Sequence, residues 1–144
     1  MSHPKTAGRE LALQYLYMYD VLEGKDVQDF SDYAATREQT PERSSVEFGA
    51  KLVDGVLKHR DELDADISSI ATNWNIKRMA AVDRNILRLS LAELQIFPET
   101  THKIILDEAV ELAKQYSSEE APAFVNGLLD KLSSKLRPEK TPGQ

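Results

Sequence analysis

Apolar positions in this chain recur every three or four residues and nowhere alternate with period two over a useful length, so the pattern predicts helices and no strands. In the first run Leu11, Tyr15, Met18 and Leu22 follow Pro4 and Thr6 at i, i+4, i+7 and i+11, and Gly24 is placed to end the helix. A short helix is expected over Val27–Ala35. The polar stretch TREQTPERSS (36–45) contains Pro41 and reads as a loop, with Ser45 as the cap of a helix striped by Phe48, Leu52 and Val56. A further segment starting near Asp61 carries Leu63, Ile67 and Ile70.

Residues 77–97 form the most apolar helix. Met79, Val82, Ile86 and Leu89 make one stripe, while Leu87, Leu91 and Leu94 make a second, which places this helix in the middle of a bundle. Pro98 ends it. His102–Tyr116 follows with Ile105, Ala109, Leu112 and Tyr116 in register, and a last helix runs from about Ala121 to Leu136 with Pro122 in its first turn. The fold class read from this pattern is all-α, about seven helices in two small packed bundles sharing one core. Residues 1–137 form a single helical domain and 138–144 (PEKTPGQ) a disordered tail.

Composition narrows the chemistry. With 144 residues and no cysteine, the core needs no disulfide and thiolate catalysis is excluded. The opening MSHPKTAGRE has no apolar signal core and no run reaches membrane-span length, so a soluble cytoplasmic protein is expected. Residues 23–66 hold twelve Asp/Glu against six Lys/Arg and so carry the whole net charge of -6, whereas the two ends lean basic. Nonspecific attraction to nucleic acid is therefore weak, and binding requires a local patch. His59-Arg60-Asp61 matches a kinase catalytic loop only as three letters. Asp61, Asp64 and Asp66 lack the glycine and final glutamate of a calcium loop. The three histidines have no zinc spacing. Glu108 and Glu111 lack the Glu-x-x-His partners of a di-iron bundle. No nucleophile, base and oxyanion donor assemble, so neither catalysis, metal nor cofactor is expected.

Two places resist a purely structural reading. In the last helix Val125, Leu128, Leu129, Leu132 and Leu136 share one face, yet Gly127 falls at about 200° and Phe124 at about 260° from Val125. Either a second helix packs closely on that side, or the ring and the bare backbone beside it meet a partner, as aromatic platforms meet single-stranded bases. In the first helix Arg9, Leu13 and Tyr17 form a column off the main stripe. It reads either as a cation and a ring for nucleic acid, or as an N-terminal helix packed on several sides with a snorkelling arginine.

Four stretches together resemble the NusB family of transcription antitermination factors: RELALQYLY (9–17), AVDRNILRLSLAEL (81–94), LDEAVELAKQYS (106–117) and FVNGLLDKL (124–132). The resemblance covers nearly the whole chain. It implies a noncatalytic RNA-binding protein of seven helices in two bundles. It further implies binding of a boxA-type single-stranded RNA together with a small-subunit ribosomal protein acting as NusE, within an RNA polymerase antitermination complex that reads through terminators on ribosomal RNA operons. By position, RNA contact is implied for Lys5, Arg9, Tyr17 and Phe124, and the ribosomal-protein face for Asp83. Arg84 and Arg88 share one face at i, i+4 and serve either that interface or internal salt bridges. The family's dense arginine segment before the first helix is replaced here by HPKTAGR, with only Lys5 and Arg9 basic, which weakens RNA binding by the chain alone. Three other readings stay open: an RNA-binding domain related to that of ribosomal RNA cytosine methyltransferases, a protein-interaction bundle with weak RNA binding, and a homodimer formed through an aromatic face.

Overall fold

The computed structural model describes residues 3–71, 73 and 75–137; the tail expected to be disordered, 138–144, lies outside the described residues. Among the described residues seven α-helices follow in order: α1 (Pro4–Val21), α2 (Phe30–Ala35), α3 (Arg43–Lys58), α4 (Arg60–Ile70), α5 (Ala81–Ile96), α6 (His102–Tyr116) and α7 (Ala121–Leu136). A single 3-10 turn, Ile76–Arg78, precedes α5. No described residue lies in a strand.

Local chemistry explains most of the boundaries. Pro4 opens α1, where its missing N–H costs nothing, and His3 Nδ1 accepts from the Lys5 N–H at 3.1 Å. The helix ends as Gly24 takes a positive φ of 73° and donates its N–H to the Tyr19 carbonyl at 2.9 Å. Asp29 caps α2 through the Asp32 N–H, and Thr101 caps α6 through the Ile104 N–H. The short helix expected over Val27–Ala35 begins only at Phe30, and three further expectations need correction. Ser45 is not a cap: α3 starts two residues earlier, after Glu42, and Ser45 is buried inside it. Met79 lies before α5 rather than in it, although its side chain still reaches the core. Leu22 falls beyond α1 and is 45% exposed, so the α1 stripe stops one turn short.

Helix α5 is the axis of the molecule. Every residue from Asn85 to Leu94 is buried, and the helix packs against α1, α3, α4, α6 and α7. On one side α1 and α3 pair tightly, with α2 across them; on the other, α4, α6 and α7 complete the second group, and one continuous core joins both. The α1–α3 crossing is close enough to need glycine. A Cβ on Gly8 would lie 2.7 Å from the Ser45 carbonyl oxygen, and one on Gly49 would lie 2.9 Å from the Gly8 carbonyl oxygen.

Buried ion pairs lock α1 onto the second group. Arg9 donates Nε and Nη2 to the two oxygens of Glu93 (2.8 and 2.6 Å) and Nη1 to Glu108 (2.9 Å). Asp20 receives Arg84 Nε at 2.6 Å, Asn85 Nδ2 at 2.8 Å and Arg88 Nη1 at 3.1 Å, while Arg88 makes a second bidentate pair with Asp64 of α4. At the other end of α5, Arg137 donates to the carbonyls of Leu94 and Phe97 at that helix terminus and of Thr100 in the loop that follows.

Candidate nucleic-acid and partner interface

The N-termini of α5 and α7 meet the end of α6 around an open groove of about 280 Å³, walled by Arg78, Met79, Ala80, Asp83, Ser118, Glu120, Ala121 and Phe124. Asp83 sits in the first turn of α5, where the helix dipole favours an anion. It is aimed by Ser117, the residue closing α6, whose Oγ donates to Asp83 Oδ1 at 2.5 Å. Phe124 projects from the first turns of α7; it is half-buried, lining the groove while packing its inner edge on the core. A larger cleft of about 380 Å³ lies between α1 and residues 37–41. There burial, reinforced by the Glu108 charge, pushes the Glu10 carboxyl above its ordinary range. That cleft brings together no aromatic platform and no candidate residue. Among the described residues no cluster of His, Asp or Glu could hold a metal ion.

Tyr17 is 43% exposed. Three residues before it, Gln14 donates to the Tyr116 hydroxyl at 3.0 Å; three residues after it, Asp20 holds Arg84. These flanking contacts reach the last residue of α6 and the first turns of α5, the elements that also hold Ser117 and Asp83, while Tyr17 itself is not among the residues lining the groove. Lys5 is not brought there. It lies three turns and more away, about 18 Å along α1, with Nζ 5.6 Å from the Phe48 ring centroid.

Of the three candidate arginines, Arg9 and Arg88 are buried and Arg84 is partly exposed. Arg9, expected off the core, is 3% exposed and fully engaged by Glu93 and Glu108, with its guanidinium 5.2 Å from the Phe48 centroid. The reason is that α1 is covered on two sides, so a residue off one apolar stripe faces a second neighbour instead of water. Arg88 is 4% exposed and divided between Asp20 and Asp64, which decides for internal salt bridges there. Arg84 is partly exposed. Its Nη1 donates to the carbonyls of Lys77 and Met79, so it braces the groove wall from behind. At Gly127 no atom lies within 4 Å of where a Cβ would be, so of the two readings left open there the one with a second helix packed on that side fails. Ser117, Asp20 and Glu93 escaped the reading of the sequence. Glu93 carried a usable signal: a carboxylate inside a helix apolar on two faces demands a buried cation.

The sequence pattern of the NusB family matches residues 6–134 of this chain. The chain belongs to the NusB family. Transcription antitermination protein NusB of Myxococcus xanthus (strain DK1622) is 40% identical over 134 residues, which is 92% of this chain and 96% of that protein. The protein of the same name from Anaeromyxobacter dehalogenans (strain 2CP-1 / ATCC BAA-258) is 41% identical over 97% of each chain. Among solved structures, T. maritima NusB superposes with a TM-score of 0.83 at 27% identity, covering 94% of both chains. A crystal structure of antitermination factors NusB and NusE in complex with dsRNA gives a TM-score of 0.77 at 28% identity, covering 94% of this chain and 99% of that one. The NusB family is noncatalytic, and no helix among the described residues is long and apolar enough to cross a membrane.

Proposed function

We propose that this NusB-family chain is an RNA-binding antitermination factor. It takes a boxA-type single-stranded RNA together with a small-subunit ribosomal protein acting as NusE, in the cytoplasm, and supports read-through by RNA polymerase on ribosomal RNA operons. The observation that carries the reading is a groove-lining phenylalanine beside an oriented carboxylate, supported by an exposed tyrosine on α1, the helix that bonds to the same α5 and α6. Aromatic rings offer stacking surfaces to unpaired bases. The Asp83 carboxylate, fixed by Ser117, suits a basic ribosomal protein better than RNA. A solved NusB with NusE and RNA shares this fold.

In this reading Tyr17 and Phe124 contact RNA and Asp83 contacts the protein partner. Arg9, Arg84 and Arg88 act as positioning residues, because their charges are spent on Glu93, Glu108, Asp20 and Asp64. Lys5 contributes at most long-range attraction. With Arg9 inside, the N-terminal segment offers RNA less charge than the sequence promises, so the ribosomal partner supplies much of the affinity. The alternative link to ribosomal RNA cytosine methyltransferases gains no support from relatives that are matched over 96% and 97% of their own length and are named antitermination proteins. Fluorescence anisotropy with a boxA-type RNA and a scrambled control, with and without the ribosomal partner, tests the proposal. Selective binding that tightens with the partner is expected; equal binding of both RNAs in every condition refutes it.

A further inference from the structure

Gly127 lies in the interior of α7, where glycine is a poor choice for helix stability. The other helical glycines have reasons inside the molecule: Gly8 and Gly49 let α1 and α3 touch through their backbones. Gly127 has none, since the space beside it is empty. The loss is explained if something outside the chain comes against the α7 backbone at that point.

The surroundings say what kind of molecule this is. Phe124, Gly127 and Lys131 stand at i, i+3 and i+7, one column of the α7 surface about 10 Å long. The column begins at the groove with an aromatic ring, continues over bare backbone and ends at an exposed lysine. Lys135, one turn on, is held by Asp66 and Ser69, whereas Lys131 enters no ion pair or hydrogen bond among the described residues. A protein partner would need apolar anchors. Beyond Phe124 the exposed residues here are Ala123, Asn126, Asp130, Lys131 and Ser134, which offer none. A phosphodiester chain needs close approach and a cation, and both are present. Glu120, one turn before Phe124, and Asp130 on the neighbouring column repel phosphate and confine it to the Lys131 side.

We propose that the single-stranded RNA backbone runs from Phe124 across Gly127 to Lys131, with Gly127 admitting close passage and Lys131 pairing with a phosphate. This rests on the RNA-binding reading above and gives the bound strand a path on α7.

The test is anisotropy with a fluorescein-labelled boxA-type RNA, the full chain and the ribosomal partner, across a salt series, beside thermal melts. Gly127→Ala should raise Tm by about 4 °C, because alanine favours the helix and its methyl has room. The same variant should weaken RNA binding roughly tenfold, as a methyl group intrudes on a packed contact. Lys131→Gln should leave Tm unchanged and flatten the slope of log K against log salt by about 0.7, the loss of one single-strand phosphate contact. Wild-type affinity in both variants, with Phe124→Ala still weakened, would overturn the path while leaving the RNA-binding reading intact. No selective binding by the wild type would overturn both. Weaker binding of the ribosomal partner to Gly127→Ala in the absence of RNA would assign the column to protein and overturn the proposal.

Discussion

Arg9 of α1 and Glu93 of α5 meet through two parallel hydrogen bonds of 2.8 and 2.6 Å, with side chains only 4% and 1% exposed. The Arg9 guanidinium spans three helices, because its remaining arm reaches Glu108 of α6. Removing either member of the Arg9–Glu93 pair strands a buried charge, which costs about 3–5 kcal/mol. Arg9→Ala and Glu93→Gln should therefore lower Tm by comparable amounts, on the order of 10 °C. Arg9→Lys should rescue little, since an ammonium cannot form the fork to Glu93 while holding Glu108. An Arg9→Ala chain that melts like the wild type and loses only RNA affinity would return Arg9 to the ligand surface.

Asp20 gives the second junction a pH dependence. Burial pushes its carboxyl up, but hydrogen bonds from Arg84 and Asn85 and the charges of Arg84 and Arg88 outweigh it and hold the group below its ordinary value of 3.8. A depressed carboxyl stabilises the fold above its unfolded value and loses that contribution as pH falls through the folded one. Stability should thus decline from about pH 5 downward. Asp20→Asn should cost about 3 kcal/mol at pH 7 and decline less steeply in acid. Urea midpoints at pH 7, 5 and 3 compare the two chains; parallel losses would show that another carboxylate governs the acid limb.

Tyr17 and Phe124 should separate by their effects on stability. Tyr17 is exposed, so Tyr17→Ala should leave Tm nearly unchanged while costing about 1–3 kcal/mol of RNA binding. Phe124 also packs on the core, so Phe124→Ala should lower both Tm and RNA affinity. Paired melts and anisotropy titrations decide this. A drop in Tm for Tyr17→Ala as large as that for Phe124→Ala would show that Tyr17 is a packing residue.

Two glycine-to-alanine changes should act in opposite directions. At Gly8 the new Cβ would press into the backbone of α3, so Gly8→Ala should destabilise by more than about 1 kcal/mol. At Gly127 the same change meets empty space and should stabilise. Chemical denaturation of both variants tests whether the α1–α3 crossing is as tight as the structure describes.

The sequence by itself determined the all-helical class, the bounds of α6 and α7, the apolar faces of α3, α6 and α7, and the central place of α5, because periodicity reports burial wherever a helix has one dominant neighbour or is surrounded by them. The motifs determined the family for a similar reason, since several helical surfaces are specified together. The tertiary structure decided what the off-stripe residues do. Arg9 and Tyr17 occupy one column of α1, yet Arg9 points into the joint with α5 and α6 while Tyr17, two turns on, reaches solvent. Nothing in α1 itself separates them. Likewise Arg84 and Arg88 share a face, and only the position of Asp20 and Asp64 shows that both are held internally. Charges find their partners across helices far apart in the chain, as Arg9 finds Glu93 eighty-four residues away, and that pairing is a property of packing rather than of spacing.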